Sequence, residues 1–434
     1  MAETERTAIA HLLRRAAFGA RPNEVEYYVR KGYAAAVDDL VAKRPLAGGA
    51  ATPKSLKNFL TRELAPYNEA NLRALQTTFM ESLVTSATPL VERMTLFFHD
   101  HFATPFRPGE YVGAAELFTQ TELFRQHALG NWGSLLHGAI EDVALACSLD
   151  ADKNNARKPN ENLAREFMEL FTLGGGYSEA DIREAARALS GYRVTPATDG
   201  SGRRYKLALD AAIHDNGDKS IFGRRGNFGA HEFVNLVLDQ PGASRFLARK
   251  LATSFAMPNP PSSLVSQIAT SLTASRWNLG EAMRALFLSS EFRSAAARNA
   301  LVKSPVELAA GTLRAFKSKD YGFAVDWAHS AGQSLYQPPN VGGWVGNEAW
   351  LSAGGLLNRY SGAAAFAART VHGSNYVRGD SLDRWAALMG MTELAPATRA
   401  SLNRYLRGAA TWGPKDRDRS LMTLLIASPD YSLA

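Results

Sequence analysis

A single cysteine in 434 residues, Cys147, leaves no intramolecular disulfide to form and no cysteine-built metal site. Its neighbours Val143, Ala144, Leu145, Ala146 and Leu149 mark it as a small buried hydrophobe rather than a nucleophile. No run of about eighteen apolar residues occurs, so no helix is expected to span a membrane. The start Met1-Ala2-Glu3-Thr4-Glu5-Arg6 lacks the charged end and apolar stretch of a secretory signal. The chain is therefore cytoplasmic as written, or exported with its signal trimmed. Also missing are a glycine-rich dinucleotide loop, a Walker loop, His-Glu-x-x-His and Gly-x-Ser-x-Gly. That sets aside nucleotide hydrolysis, zincin and serine-esterase chemistry. Charge of one sign is scarce as well: 49 Lys and Arg against 42 Asp and Glu are largely interleaved, for a net charge of +7. The densest basic runs, Arg203-Arg204-Tyr205-Lys206 and Arg224-Arg225, are too short for a nucleic-acid footprint. An anionic glycan or an acidic partner suits a mild basic excess equally well.

What remains is an ordinary globular composition, 46% apolar and 21% charged, in a chain longer than one core usually fills. Helical periodicity dominates it. Ile9, Leu12, Leu13 and Ala16 form one face over residues 7–18, with Arg14 and Arg15 read as lying off it. Thr88-Pro89 and Ser304-Pro305-Val306-Glu307 are helix starts, and Ser178 to Asp181 is a weaker one. Residues 193–230 are rich in Gly, Asp and Arg, and only Tyr205-Lys206-Leu207-Ala208-Leu209 alternates, which predicts a short hairpin. Two apolar helices, over 283–292 and 421–431, end in the same Ser-x-acid-aromatic close. The expected fold is mainly α, a large multi-helical protein with a short β-hairpin or loop insertion around 193–230. Residues 1–192 form an N-terminal helical lobe, and 231–434 form a second lobe packed on it.

Four segments place costly polar groups in apolar or turn-forming surroundings. In Phe97-Phe98-His99-Asp100-His101-Phe102, His101 falls within an apolar stripe with Leu90, Met94 and Phe97. His99 lies about 200° away around the helix, so the pair cannot chelate one ion unless the helix unwinds near Pro105. In the segment 160–174, Glu166 sits at the edge of a stripe of Leu163, Phe167 and Leu170, with Glu169 one turn on and facing further out. Two carboxylates at that spacing can bridge a metal or divide acid and base roles, and Glu166 can equally pair with an arginine such as Arg183 or Arg187. His214-Asp215 offers an imidazole and its orienting carboxylate, or a plain turn. Gln337-Pro338-Pro339-Asn340-Val341-Gly342-Gly343-Trp344 holds a tryptophan on a loop, with Trp350 close behind, either to stack on a ligand or to plug the core.

Taken in order, these segments resemble the bacterial family called domain of unknown function 1800. The resemblance runs through Leu12-Leu13-Arg14-Arg15-Ala16-Ala17-Phe18-Gly19, Glu92-Arg93-Met94, His99-Asp100-His101-Phe102 and Arg125-Gln126-His127-Ala128-Leu129-Gly130-Asn131. It continues through Pro159-Asn160-Glu161-Asn162, Ala164-Arg165-Glu166, Glu169 to Gly174, Tyr177 to Gly191 and His214-Asp215. Lys303-Ser304-Pro305-Val306-Glu307 and Gly332-Gln333 through Trp344 close it. Phe98 and Tyr192 stand where tryptophan is frequent in the family, which keeps an aromatic ring at each place. The resemblance implies no assigned activity and no catalytic residues. It implies members that are often exported, and often encoded beside a phosphatase- or sulfatase-like protein.

The expected function is an enzyme with a buried site of His101, Glu166 and Glu169. His99, His101, Glu166, Glu169, His214 and Asp215 are the candidate ligands of a divalent metal, Mn, Fe or Zn. Trp344, Trp350, Asn340 and Arg165 are candidate substrate contacts. Metal-assisted hydrolysis or oxidation of an envelope or polysaccharide substrate follows from that set. The alternative is a non-catalytic helical module that binds a glycan or a partner protein.

Overall fold

The computed structural model describes residues 5–46, 69–107, 110–198, 204–372 and 381–434. Met1 to Thr4 and Arg203 of the basic run lie outside them. Helices account for most of the described chain, and strands occur only in two small antiparallel sheets. Strand β1 (Tyr192–Pro196) pairs with β2 (Tyr205–Leu209), and β3 (Lys219–Ile221) with β4 (Arg224–Gly226). The expected mainly α fold with a hairpin insertion is thus what forms.

Local chemistry accounts for the helix boundaries. The helix Pro305–Phe316 starts in a full capping box: Ser304 Oγ accepts from Glu307 N at 3.2 Å, and Ser304 N donates to Glu307 Oε2 at 2.6 Å. Ser178 and Asp181 cap the helix Glu179–Ala188 in the same way. The repeated Ser-x-acid-aromatic close is a plug. Ser289 and Ser428 each cap a short terminal helix, whose Phe292 and Tyr431 are buried. Phe292 belongs to one hydrophobic core and Tyr431 to the other.

The two cores are each built from distant stretches of chain. The first gathers Ala8 to Leu46, much of 124–189 and the helices between Ala230 and Phe292. The second gathers Leu72 to Val84, Val112 to Phe118 and residues from Val306 to Tyr431. Each core therefore draws on chain from both sides of the 193–230 insertion.

The helix Pro89–His101 lies where the cores meet. Leu90, Val91, Met94 and Phe98 belong to the first core and Leu96 to the second. A helix apolar on nearly every side is one buried on every side, and this is the element that positions the site.

Candidate active site

His99, Asp100 and His101 leave the end of that helix in three directions. His99 turns toward the second core, against Phe79, Tyr336 and Trp344. Its Nε2 accepts the backbone N–H of Tyr336 at 3.1 Å, and burial lowers its pKa to about 3. It is a neutral ring fixed in place, not the surface or capping group that the wheel allows. His101 turns toward the first core, among Phe102, Trp132 and Phe171. Lys250 Nζ donates to its Nδ1 at 3.1 Å, so the proton sits on Nε2 and is donated to the carbonyl of Phe171 at 2.9 Å. Burial, then the Lys250 charge, holds the His101 pKa well below the usual histidine range.

The Phe171 carbonyl is free for this because of how its helix ends. Residues Phe167–Thr172 form a π-helical turn, in which Leu173 N and Gly174 N both return to Met168 O. The carbonyls of Leu170 and Phe171 accept instead from Lys250 (3.2 Å) and His101. Gly174 (φ +71°) lets Phe246 approach, since a Cβ there would stand 2.8 Å from the ring.

The two carboxylates face as the helical wheel places them. Glu169 is exposed and Glu166 half-buried. Among the described residues no hydrogen bond or ion pair joins either of them to His101 or to an arginine of 183–193. Arg165 is bound by Glu161 (3.0 Å) and Glu179 (2.8 Å), away from the two histidines. Asp215 accepts from Arg187 at 2.7 Å and from Gly217 N at 2.9 Å, an Asx turn, while His214 Nδ1 bonds Ser190 O at 2.8 Å. Among the described residues no three His, Cys, Asp or Glu side chains stand close enough to hold one metal ion, so the expected ligand set is dispersed. Cys147 is buried, and burial pushes its thiol up to about 12, in keeping with an inert hydrophobe.

Asp100 is the member that reaches open space. It lines a cavity of about 510 Å³ together with His101, Lys250, Trp344 and Trp350. Trp344 N donates to Asp100 Oδ1 at 2.8 Å. Gly343 (φ +82°) permits that approach, because a Cβ there would lie 2.6 Å from the Asp100 carbonyl oxygen. The glycine pair before Trp344 is thus a cradle for Asp100. Asn340 is exposed and closes its own turn through Gly342 N at 2.8 Å. Burial raises the Asp100 carboxyl to about 6, against the opposing Trp344 bond and Lys250 charge.

The cavity walls are mostly cationic. Arg14, Arg15, Arg93, Arg249, Lys250 and Lys303 line it, against the carboxylate side chains of Asp100 and Glu307. Arg93 pairs with Glu307 and is packed between Phe18 and Phe255. Arg15 is 1% exposed, donates only to the carbonyls of Ala256 and Ala297, and leaves its Nε without a partner. Lys303 is 5% exposed and lies 3.7 Å from the centre of the Tyr431 ring. Burial, then the charge of Arg14, lowers its pKa to about 7. Behind it, buried Arg359 donates to Lys303 O at 2.5 Å and leaves Nε and Nη1 unsatisfied. The wheel reading that put Arg14 and Arg15 off the apolar face fails here: Arg15 is buried and Arg14 half-buried. Two arginines enclosed by Leu12, Leu13, Ala16 and Ala17, with no nearby acid in sequence, were the available signal.

The chain is a multi-helical protein with a cationic interior cavity between two cores. The sequence model described as protein of unknown function (DUF1800) matches residues 11–433, and the chain belongs to that family. No curated protein and no solved structure matches it. No helix among the described residues is long and apolar enough to cross a membrane. The segments that carry the family resemblance supply much of the cavity wall: Arg14 and Arg15, Arg93, Asp100 and His101, Lys303 with Ser304 and Glu307, and Gln333 with Trp344.

Proposed function

We propose that the chain is an enzyme whose site is this cavity, and that its substrate carries an anionic group. The observation behind the reading is the charge imbalance. Several cations stand in and behind one wall, and among the described residues Arg15, Lys303 and Arg359 have no carboxylate partner of their own. A buried charge without a countercharge is costly, and a bound phosphate, sulfate or carboxylate would supply charge-assisted hydrogen bonds to these donors. Hydrolysis is the reaction class that suits the remaining groups. The Asp100 carboxylate can take a proton from water while the Lys303 ammonium gives one to the leaving group. The expected envelope or polysaccharide substrate is compatible with this, since acidic polysaccharides and anionic lipids both carry such groups. A phosphatase- or sulfatase-like partner would act on the same class of anion. The rival reading, a non-catalytic binding module, draws on the same cavity and on the Trp344 and Trp350 rings in its wall.

Titration calorimetry and thermal melts with inorganic phosphate and sulfate test the anion site. Binding to the native state raises the melting temperature, by an amount equivalent to about 2.7 kcal/mol at a hundred times Kd. Lys303→Met should abolish that response. A wild-type protein that ignores both anions, or a Lys303→Met variant that responds equally, would overturn the reading. Anion binding without turnover of any anionic ester would leave the binding-module reading in its place.

A further inference from the structure

Among the described residues, five of the eight large apolar side chains that remain exposed fall within one short stretch: Val345 (74%), Leu351, Leu356, Leu357 (64%) and Tyr360. Leu356, Leu357 and Tyr360 stand within about 100° of one another on the helix Ala353–His372. That helix turns Arg359 inward to the Lys303 carbonyl. Within 345–360 the only other charged residue is Glu348. The same stretch also builds the cavity wall, through Gly346, Asn347 and Trp350. The exposed apolar side chains therefore come from the same stretch of chain that builds part of the cavity wall. Arg249, exposed, adds a further cation among the lining residues.

Scattered apolar residues need no explanation, but a cluster beside a ligand cavity does. A soluble anion would use the cavity and leave the apolar side chains in water. A protein partner would use the apolar side chains and leave the buried cations without a countercharge. An amphiphile satisfies both at once.

We infer that this surface binds an anionic lipid in a membrane, with its headgroup in the cationic cavity and the side chains of Val345, Leu351, Leu356, Leu357 and Tyr360 against the acyl layer. The inference rests on the cavity being the anion site and narrows the substrate class to lipids. Shallow docking of an apolar helix face beside basic residues is how interfacial proteins hold an anionic leaflet without spanning it.

Vesicle flotation tests it with phosphatidylcholine alone and with phosphatidylcholine mixed with phosphatidylglycerol, alongside calorimetry with inorganic phosphate. The wild type should float with the mixed vesicles and not with phosphatidylcholine. Each leucine removed from the acyl layer should cost roughly tenfold in affinity. Leu356→Asp with Leu357→Asp should therefore abolish flotation, while phosphate affinity and melting temperature stay unchanged. Lys303→Met should abolish both readouts. Phosphate binding without flotation, or flotation untouched by the double leucine variant, overturns the lipid inference and leaves the anion site standing. Flotation that survives Lys303→Met removes the headgroup from the cavity. Failure of phosphate and vesicles together overturns both.

Discussion

Buried charge takes two forms in this protein. Glu24 and Arg314 have side chains 0% and 2% exposed, and they meet in a bidentate pair at 2.7 and 3.0 Å. The pair ties the helix Pro22–Lys31 to the helix Pro305–Phe316, that is, one core to the other. Arg15, Lys303 and Arg359 are also withdrawn from water, yet among the described residues they share only Glu307 as a nearby carboxylate, and Glu307 is held by Arg93. The closed pair has its charges matched, although Arg314 Nε has no hydrogen-bond partner among the described residues. An open cluster beside a cavity is poised for a ligand, and that contrast separates structural charge from functional charge more sharply than burial does.

The largest effect should come from breaking the closed pair. Glu24→Gln keeps the shape but strips Arg314 of its countercharge, at a cost of roughly 3–5 kcal/mol. A denaturant or thermal melt should show it plainly. Lys303→Met should behave in the opposite way. The folded pKa of Lys303, about 7, lies below the ordinary value of 10.5. Protonation therefore disfavours the folded state wherever the pH is below the ordinary value, with the full penalty reached below about 7. Replacing the amine by an uncharged chain of similar length should leave stability unchanged or raised at neutral pH, while anion binding is lost. If Lys303→Met melts as early as Glu24→Gln, the contrast between the two regions disappears.

A smaller effect is expected from pH. Lys303 gains its charge as pH falls through about 7, and Asp100 loses its charge as pH falls through about 6. Both steps make the cavity more positive, so the affinity for sulfate, which stays a dianion throughout, should rise in two stages between pH 8 and pH 5. Asp100 faces Lys250, Glu307 and the Trp344 amide; Glu307 adds to the effect of burial, while the Trp344 hydrogen bond and the Lys250 charge oppose it. Asp100→Asn should remove the lower stage and keep the upper one. Calorimetry in the wild type and the variant checks this, and an affinity flat across the range would count against both assignments.

The helical fold, the hairpin at Tyr205–Leu209, the capping boxes and the repeated aromatic plug were all legible, because each is written in local periodicity or in a cap. The importance of the His99–His101 segment and of the Trp344 loop was legible as polar or aromatic residues in costly surroundings. Two things were not. Asp100, between the two histidines, drew no notice because its significance depends on Gly343 and Trp344 meeting it from more than two hundred residues away. Nor can a helical wheel show whether Glu166 meets His101 or an arginine of 183–193, since those residues lie on other elements. Lys303 carried a proline and a capping box beside it in sequence, but its burial among cations is a property of packing alone.

The smallest effect belongs to Glu166, with Glu169 and His101 one of the catalytic candidates that the sequence offers. It is half-buried, and burial and then Glu169 raise its carboxyl, with Arg165 opposing. No ion pair depends on it among the described residues. Glu166→Gln should therefore change stability by no more than about 0.5 kcal/mol, the range of ordinary surface substitutions. The sign should be slightly favourable at neutral pH. A raised folded pKa means that ionisation is disfavoured in the folded state, so the variant gains only above the carboxylate range and equals the wild type in acid. Phosphate affinity should be untouched. A loss of several kcal/mol would reveal a buried partner for Glu166, and a loss of anion binding would return the π-helical turn to the site and weaken the case that the cationic cavity works alone.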